Sequence, residues 1–397
     1  MKSFSIFLLI LFIQFNASVQ AQVYKTMKHL PGTGQLKSYT NTFGENADYN
    51  VNPPGFLLHG NGTLTDTVTG LMWQQMDGGE MTYANAKLFV DTLTLGGYTN
   101  WRLPNAHEAF SILNHDATNP AMDLLFWTKT AAEYWWSSDQ QVGDPSKVWC
   151  TNAGGGIGNH PIAETVSAGG TKKFHVRAVR DVQMPNQLSA HFVAQANGSI
   201  YDSLTSLYWL PMLSSDTLTW EQALNYSEQL TWGGYSDWRL PNIKELQSIN
   251  TETTSNPSLN TAVFSQIGTK FIWSSTSLPN QTSKAWYLDT KFGITTYKLK
   301  TNRIWTICVR GGYSNNAALT NLHASNFNVF PNPCEGQFQI ESASPIGKVE
   351  LYNYLGVIYC RIQSDQNTLL LDQIPAGLYT LKVTSAGSVS YRVISVL

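Results

Sequence analysis

The chain has 397 residues, of which 13% are charged, with 25 Lys+Arg against 27 Asp+Glu and a formal net charge of -2. That charge content is about half the ~25% usual in soluble domains, and the absence of a basic excess excludes an ordinary nucleic-acid binder. Hydrophobic residues at 42% and aromatic residues at 12% exclude an acidic disordered chain, and the length suits two to three domains.

Residues 1–21 read as an export signal. Lys2 precedes an apolar run from Phe4 to Ile13, and Val19-Gln20-Ala21 offers small residues before Gln22. The run is too short to span a bilayer, and no other stretch approaches the ~18 apolar residues that a membrane helix requires, so the mature chain is expected to lack a transmembrane segment. An N-terminal extension, residues 22–53, follows. Of the cysteines, Cys334 and Cys360 share one terminal segment and could pair, whereas Cys150 and Cys308 lie apart. Four cysteines in so long a chain do not make a disulfide scaffold.

The chain then repeats itself. The segment from Gly62 to Trp73 (GTLTDTVTGLMW) matches that from Gly198 to Trp209 (GSIYDSLTSLYW). Gly96 to Asn105 (GGYTNWRLPN) matches Gly233 to Asn242 (GGYSDWRLPN), Trp136-Ser137-Ser138 matches Trp273-Ser274-Ser275, and Val179-Arg180 matches Val309-Arg310. The offset is 136 to 137 residues and falls to 130 at the end, so the first copy carries a longer loop within 153–170. The map is repeat 1 at 54–181, a linker at 182–189, repeat 2 at 190–312, a linker at 313–325, and a different unit at 326–397. Copies this long are domains rather than solenoid units of ~20–50 residues.

Each repeat predicts two short helices. In repeat 2, Thr219 and Gln222 form a capping box before an apolar face of Trp220, Ala223, Leu224, Ser227 and Leu230, and Gly233-Gly234 is the stop. In repeat 1 the same plan uses Thr82, then Ala86, Val90 and Leu93, then Gly96-Gly97. The second helix opens at Asn105 or Asn242 as N-cap, with Glu108 or Glu245 three residues later. Trp101, Arg102, Asn105 and Glu108, and their counterparts Trp238, Arg239, Asn242 and Glu245, therefore read as a structural motif. Within it, Arg102 and Arg239 either pair with a carboxylate or carbonyl, or face an anionic ligand. The remainder breaks into short strands such as Tyr134-Trp135-Trp136.

No chemistry announces itself. There is no His-Glu-x-x-His or Cys-x-x-Cys metal pattern, no Gly-x-Ser-x-Gly elbow and no phosphate-binding loop, so no catalytic residue, metal or cofactor is assigned and a non-enzyme is expected. Charge is uneven, however. Residues 61–181 carry 8 Lys+Arg and 12 Asp+Glu, whereas residues 197–312 carry 9 and 8. Lys291, Lys298, Lys300 and Arg303 cluster with no acid among them. This basic strand is either a solubilising edge or a weak site for anionic polysaccharide. Trp286 is the aromatic candidate beside it, since Trp and Tyr suit sugar stacking through an apolar face and a polar edge.

The ordered series Asp-x-x-Thr-Gly-Leu-Met-Trp, Gly-Gly-Tyr-x-x-Trp-Arg-Leu-Pro-Asn, Trp-Ser-Ser and Val-Arg resembles the Lcl C-terminal-domain family, the adhesive end domain of a bacterial collagen-like surface protein. The resemblance implies an α+β, C-type-lectin-like fold for each repeat and binding of sulfated glycosaminoglycans. The calcium-site tripeptide of C-type lectins is missing, as is the cysteine pair of formylglycine-generating enzymes. The terminal unit resembles the type A sorting domain of the type IX secretion system. That resemblance rests on Asn328-Val329-Phe330-Pro331-Asn332-Pro333, Gly336, Val349-Glu350-Leu351-Tyr352-Asn353, Gly356, Ile374-Pro375-Ala376-Gly377-Leu378-Tyr379 and Arg392-Val393-Ile394. It implies a small all-β immunoglobulin-like sandwich and the type IX secretion machinery as a partner for residues 326–397.

The expected protein is a secreted or surface-anchored, non-enzymatic adhesion protein. Its expected fold is two C-type-lectin-like α+β domains followed by the sandwich. Its expected partner is extracellular polysaccharide or matrix, with no nucleic acid. The alternatives are an extracellular enzyme on the same fold, acting on polysaccharide or protein, and a structural surface module without a small ligand.

Overall fold

The computed structural model describes residues 23–49, 51–128, 133–163, 171–251, 254–312, 327–332, 334–342, 344–353, 358–385 and 388–396. The export signal at 1–21 and the linker at 313–325 lie outside them. The chain divides into two compact units, one ending at Ser314 and containing both repeats, the other starting at Asn315.

Each repeat is built from two sheets and two helices. In repeat 1, strand Val179–Asp181 closes an antiparallel sheet with Leu71–Gln74, Thr63–Asp66 and Phe56–Leu58. Glu80–Met81, Phe174–His175, Tyr134–Gln141, Asp144–Asn152 and Ile157–Pro161 form the second sheet. In repeat 2, Val309–Gly311 closes on Leu207–Trp209, Ile200–Asp202 and Phe192–Ala194, and Phe271–Ser277, Lys284–Asp289 and Ile294–Leu299 form the second sheet. The helices are α1 (Tyr83–Thr92), α2 (Ala106–Ser111), α3 (Trp220–Glu228) and α4 (Ile243–Ser248). Their starts follow the sequence. Thr82 accepts from the Asn85 amide, and Asn105, Thr219 and Asn242 each close a reciprocal capping box.

This architecture corrects the expected α+β, C-type-lectin-like fold. Strand accounts for 38% of the described residues and helix for 10%, and the strands fall into many small sheets. The cap and stop signals delimit helices of only six to ten residues. The Thr-, Trp- and Tyr-rich runs between them satisfy their backbones in short ladders instead.

The repeats share a core. Ala106, Phe110, Leu113, Trp149 and Ile157 of repeat 1 pack with Ile243, Leu278 and Trp286 of repeat 2, and the Ile157 amide donates to Thr295 Oγ1 at 3.0 Å. The extension binds both copies. Val23–Lys25 pairs with Asn186–Leu188, within the segment read as a linker. The His115 amide donates to the Thr33 carbonyl at 2.7 Å. Glu45, fully buried, accepts from Gln35 Nε2 (2.7 Å), Ser38 Oγ (2.7 Å), the Tyr39 amide (2.6 Å) and Ser277 Oγ. At the centre, Lys244 Nζ donates to the carbonyls of Ser111 (2.6 Å) and Gly32 (2.9 Å). Gly32 is required there, because a Cβ would meet the Val51 carbonyl oxygen at 2.4 Å.

In the second unit, Phe327–Phe330, Phe338–Ser342 and Thr368–Leu371 make one antiparallel sheet. Ile358–Gln363, Ile346–Asn353, Gly377–Ser385 and Ser388–Val396 make the other. One core, including Phe338, Ile340, Val349, Leu351, Leu381 and Ile394, draws from both. Cys334 and Cys360 are free thiols, as are Cys150 and Cys308.

Burial brings the Lys244 ammonium down to about 7, opposed by the Asp66 carboxylate. Burial and Lys244 together bring His115 down to about 3. Both groups are more readily protonated in the unfolded chain, where their values lie near 10.4 and 6.5. Stability from these two groups therefore rises with pH, between about 3 and 6.5 through His115 and between about 7 and 10.5 through Lys244. Thermal melts from pH 4 to pH 10 should show both rises. His115→Phe should flatten only the acid limb, whereas Lys244→Met should flatten the alkaline limb and also ease the acid one, because Lys244 helps to hold His115 down; unchanged slopes in the variants would refute the assignment.

Candidate functional site

The eight motif residues form two matching networks. In repeat 1, Arg102 donates to Glu108 (2.7 and 2.9 Å) and to Asp181 (2.9 and 3.1 Å). Glu108 Oε2 accepts from the Asn105 amide, and Trp101 Nε1 donates to the Tyr98 carbonyl. In repeat 2, Arg239 donates twice to Glu245 at 2.6 Å, Glu245 Oε2 accepts from the Asn242 amide, and Trp238 Nε1 donates to the Trp232 carbonyl. Glu108 and Glu245 thus carry both a cap and a bidentate ion pair. The arginines are turned to these carboxylates rather than to a ligand.

The basic cluster of repeat 2 does not stay together. Lys291 and Arg303 meet at an open groove of about 310 Å³. Arg303 holds that position by donating to Gln222 Oε1 (3.0 Å), Asp216 Oδ2 (3.4 Å) and the Thr217 carbonyl. Lys298 reaches the groove only through an aromatic neighbour, its Nζ lying 4.7 Å from the Phe271 ring centroid and 5.0 Å from that of Tyr287. Lys300 points inward. Its Nζ sits 3.8 Å from the Trp220 ring centroid, and burial lowers its pKa against the pull of Glu45 and Glu221. Trp286 is 3% exposed and packs in the joint core, edge-on to His115 and to Tyr297.

The groove is completed by Lys270, Phe271 and Trp305, with Asp289 as its single carboxylate. Phe271 stands opposite Asp289 across the ladder, and the Trp305 amide donates to the Phe271 carbonyl at 3.1 Å. Lys270 Nζ lies 5.1 Å from the Trp305 ring centroid. Three cations, of which Arg303 is ion-paired with Asp216, and two aromatic rings therefore line one open space. The signal that locates these residues in sequence is a position-by-position comparison of the copies. Lys270, Phe271 and Trp305 stand where repeat 1 has Glu133, Tyr134 and His175.

Such a groove can hold an anionic group between cations while a ring covers an apolar face. Trp286→Ala should cost about 3–5 kcal/mol as a large buried truncation. Lys291→Ala should change stability by no more than ~0.5 kcal/mol. Urea unfolding of the two variants checks this, and a near-neutral Trp286→Ala would contradict its place in the joint core.

Three comparisons with known proteins bear on this geometry. The Lcl C-terminal domain matches residues 62–180 and 198–310, and the secretion system C-terminal sorting domain matches residues 328–396. No curated protein matches the chain. Among solved structures, one of PorZ, described as an essential bacterial surface component of the type-IX secretion system of Porphyromonas gingivalis, aligns with 88% of this chain at 12% identity and a TM-score of 0.17. This chain spans 39% of the length of that one. The type IX sorting domain marks an exported protein, at the cell surface or secreted, and implies an encounter with the type IX secretion machinery. No helix among the described residues is long and apolar enough to cross a membrane.

Proposed function

This chain belongs to the Lcl C-terminal domain family, and we propose that it is a non-enzymatic binding protein that recognises an anionic extracellular polysaccharide or matrix through the groove of repeat 2. The observation that carries this reading is the convergence of Lys270, Lys291 and Arg303 with Phe271 and Trp305 on one open surface. Sulfate or carboxylate groups along a glycan meet the cations, and the sugar faces meet the rings. The groove is open and its cations stand near water, so the attraction is screened by salt within a Debye length of about 8 Å at physiological ionic strength. Binding is therefore moderate, salt-sensitive and suited to many weak contacts along a polymer.

The full chain should be retained on immobilised heparin at low salt and released as salt rises. Lys270→Glu with Lys291→Glu and Arg303→Glu should abolish retention while leaving the circular dichroism spectrum unchanged. Retention of the triple variant, or failure of the wild type to bind at low salt, would remove the reading. Export is tested separately. Deleting residues 326–397 should prevent appearance at the surface or in the medium, and normal appearance of the deleted chain would contradict dependence on the sorting domain.

A further inference from the structure

We propose a second binding site on repeat 2: the solvent face of its four-stranded sheet is a tyrosine platform for an uncharged polysaccharide. The residues lie in one straight row. Val193 stands opposite Tyr201, Tyr201 opposite Tyr208, and Tyr208 opposite Arg310 on successive strands. At about 4.8 Å between strands the row is roughly 15 Å across. Its neighbours Ile200, Asp202, Leu207, Trp209 and Val309 are buried, so the alternation turns the row away from the core, with Val193 exposed and Tyr201, Tyr208 and Arg310 half-buried. The Tyr201 and Tyr208 ring centroids are 4.9 Å apart. The Arg310 guanidinium lies 5.3 Å from the Tyr208 centroid and 3.6 Å from that of Tyr235, which is 41% exposed and extends the row.

Two observations point to a neutral sugar polymer. The only charge in the row is already engaged, because Arg310 Nε donates to Asp237 Oδ1 at 2.7 Å while its guanidinium lies between two rings. The row therefore offers the outer sides of half-buried tyrosine rings, and its one cation is paired, which disfavours an anionic partner and suits sugar C–H faces and hydroxyl groups. The molecule also contains its own control. Repeat 1 has the same register, with Leu57 opposite Thr65, Thr65 opposite Met72 and Met72 opposite Arg180. It also keeps the stack at the row's end, with Arg180 3.9 Å from the Tyr98 centroid and bonded to Asn100 Oδ1. The Arg–Tyr stack thus belongs to the shared scaffold, while the two tyrosines belong to repeat 2 alone: Thr65 and Met72 take their places in repeat 1, where Met72 is buried in the core and Tyr208 stays half-buried.

The proposal rests on the chain being a glycan binder, but uses a different surface from the cationic groove. The test is affinity electrophoresis of the full chain in gels containing hydroxyethyl cellulose, dextran or laminarin, with heparin as a parallel gel. The wild type should be retarded by at least one uncharged polymer, independently of salt. Tyr201→Thr with Tyr208→Met, the residues of repeat 1, should weaken that retardation at least tenfold and leave heparin retardation and the melting temperature unchanged. Tyr201→Phe with Tyr208→Phe should keep most of it. No retardation of the wild type by any uncharged polymer, or equal retardation of the Thr/Met variant, would overturn the platform. Heparin retardation in the same samples would leave the groove standing. A concentration-dependent dimer abolished by the Thr/Met variant would assign the row to self-association and also overturn it.

Discussion

Lys244 is the point on which the larger unit depends. Its ammonium, buried at the start of α4, joins repeat 2 to the end of α2 through the Ser111 carbonyl and to the extension through the Gly32 carbonyl. A buried cation is costly unless its donors are used, and here they reach two segments that neither copy could supply alone. Repeat 1 has His107 at the corresponding position, so the junction is not symmetric. One copy contributes the cation and the other a helix-end carbonyl. Around this point lie Trp286, His115 and the joint apolar core. The repeats are duplicated in sequence, but they are packed as one body, with the extension threaded across both.

That packing explains where the sparse charge goes. Arg102, Glu108 and Asp181 are spent on one cap network, Arg239 and Glu245 on the other. Glu45 satisfies three donors in the extension and Ser277 of repeat 2, and Lys300 covers the Trp220 ring. Arg180 and Arg310 hold Tyr98 and Tyr235 against the sheet edge. Of the cations that remain, Lys270, Lys291 and Arg303 line one open groove.

The parts of this that were legible in the sequence are the local ones. A capping box spans four residues, so Asn105 with Glu108 and Thr219 with Gln222 could be placed without knowing the fold. The duplication was legible because it preserves order and spacing. The destination of a long side chain is not local. Lys291, Lys298 and Lys300 read as one basic face, yet Lys300 turns inward because Trp220, far away in sequence, presents its ring there. Trp286 suits a sugar as well as a core by type alone, and only the approach of His115 and the Ile157–Pro161 strand decides it. The fold class was misjudged for a related reason. Strong helix signals say where a helix starts and stops but not what share of the chain it occupies, and the β ladders form between segments whose pairing the sequence does not state.

The copies also differ at one buried position. Repeat 1 places Arg177 in its interior, where burial lowers the guanidinium to about 10 and Asp77 opposes that shift. Asp77 is itself tied to His175 at 2.9 Å and to Trp135 Nε1 at 3.2 Å, so the acid and the imidazole next to it are held by the need to balance a buried charge. Repeat 2 has Ile307 at the matching position, packed among apolar side chains. At this one position no buried cation requires a carboxylate. At the outer positions, Glu80, Glu133 and His175 of the first copy stand where the second has Thr217, Lys270 and Trp305. The exchange of arginine for isoleucine in the core thus accompanies the exchange of an acidic and imidazole surface in one copy for a cationic, aromatic groove in the other.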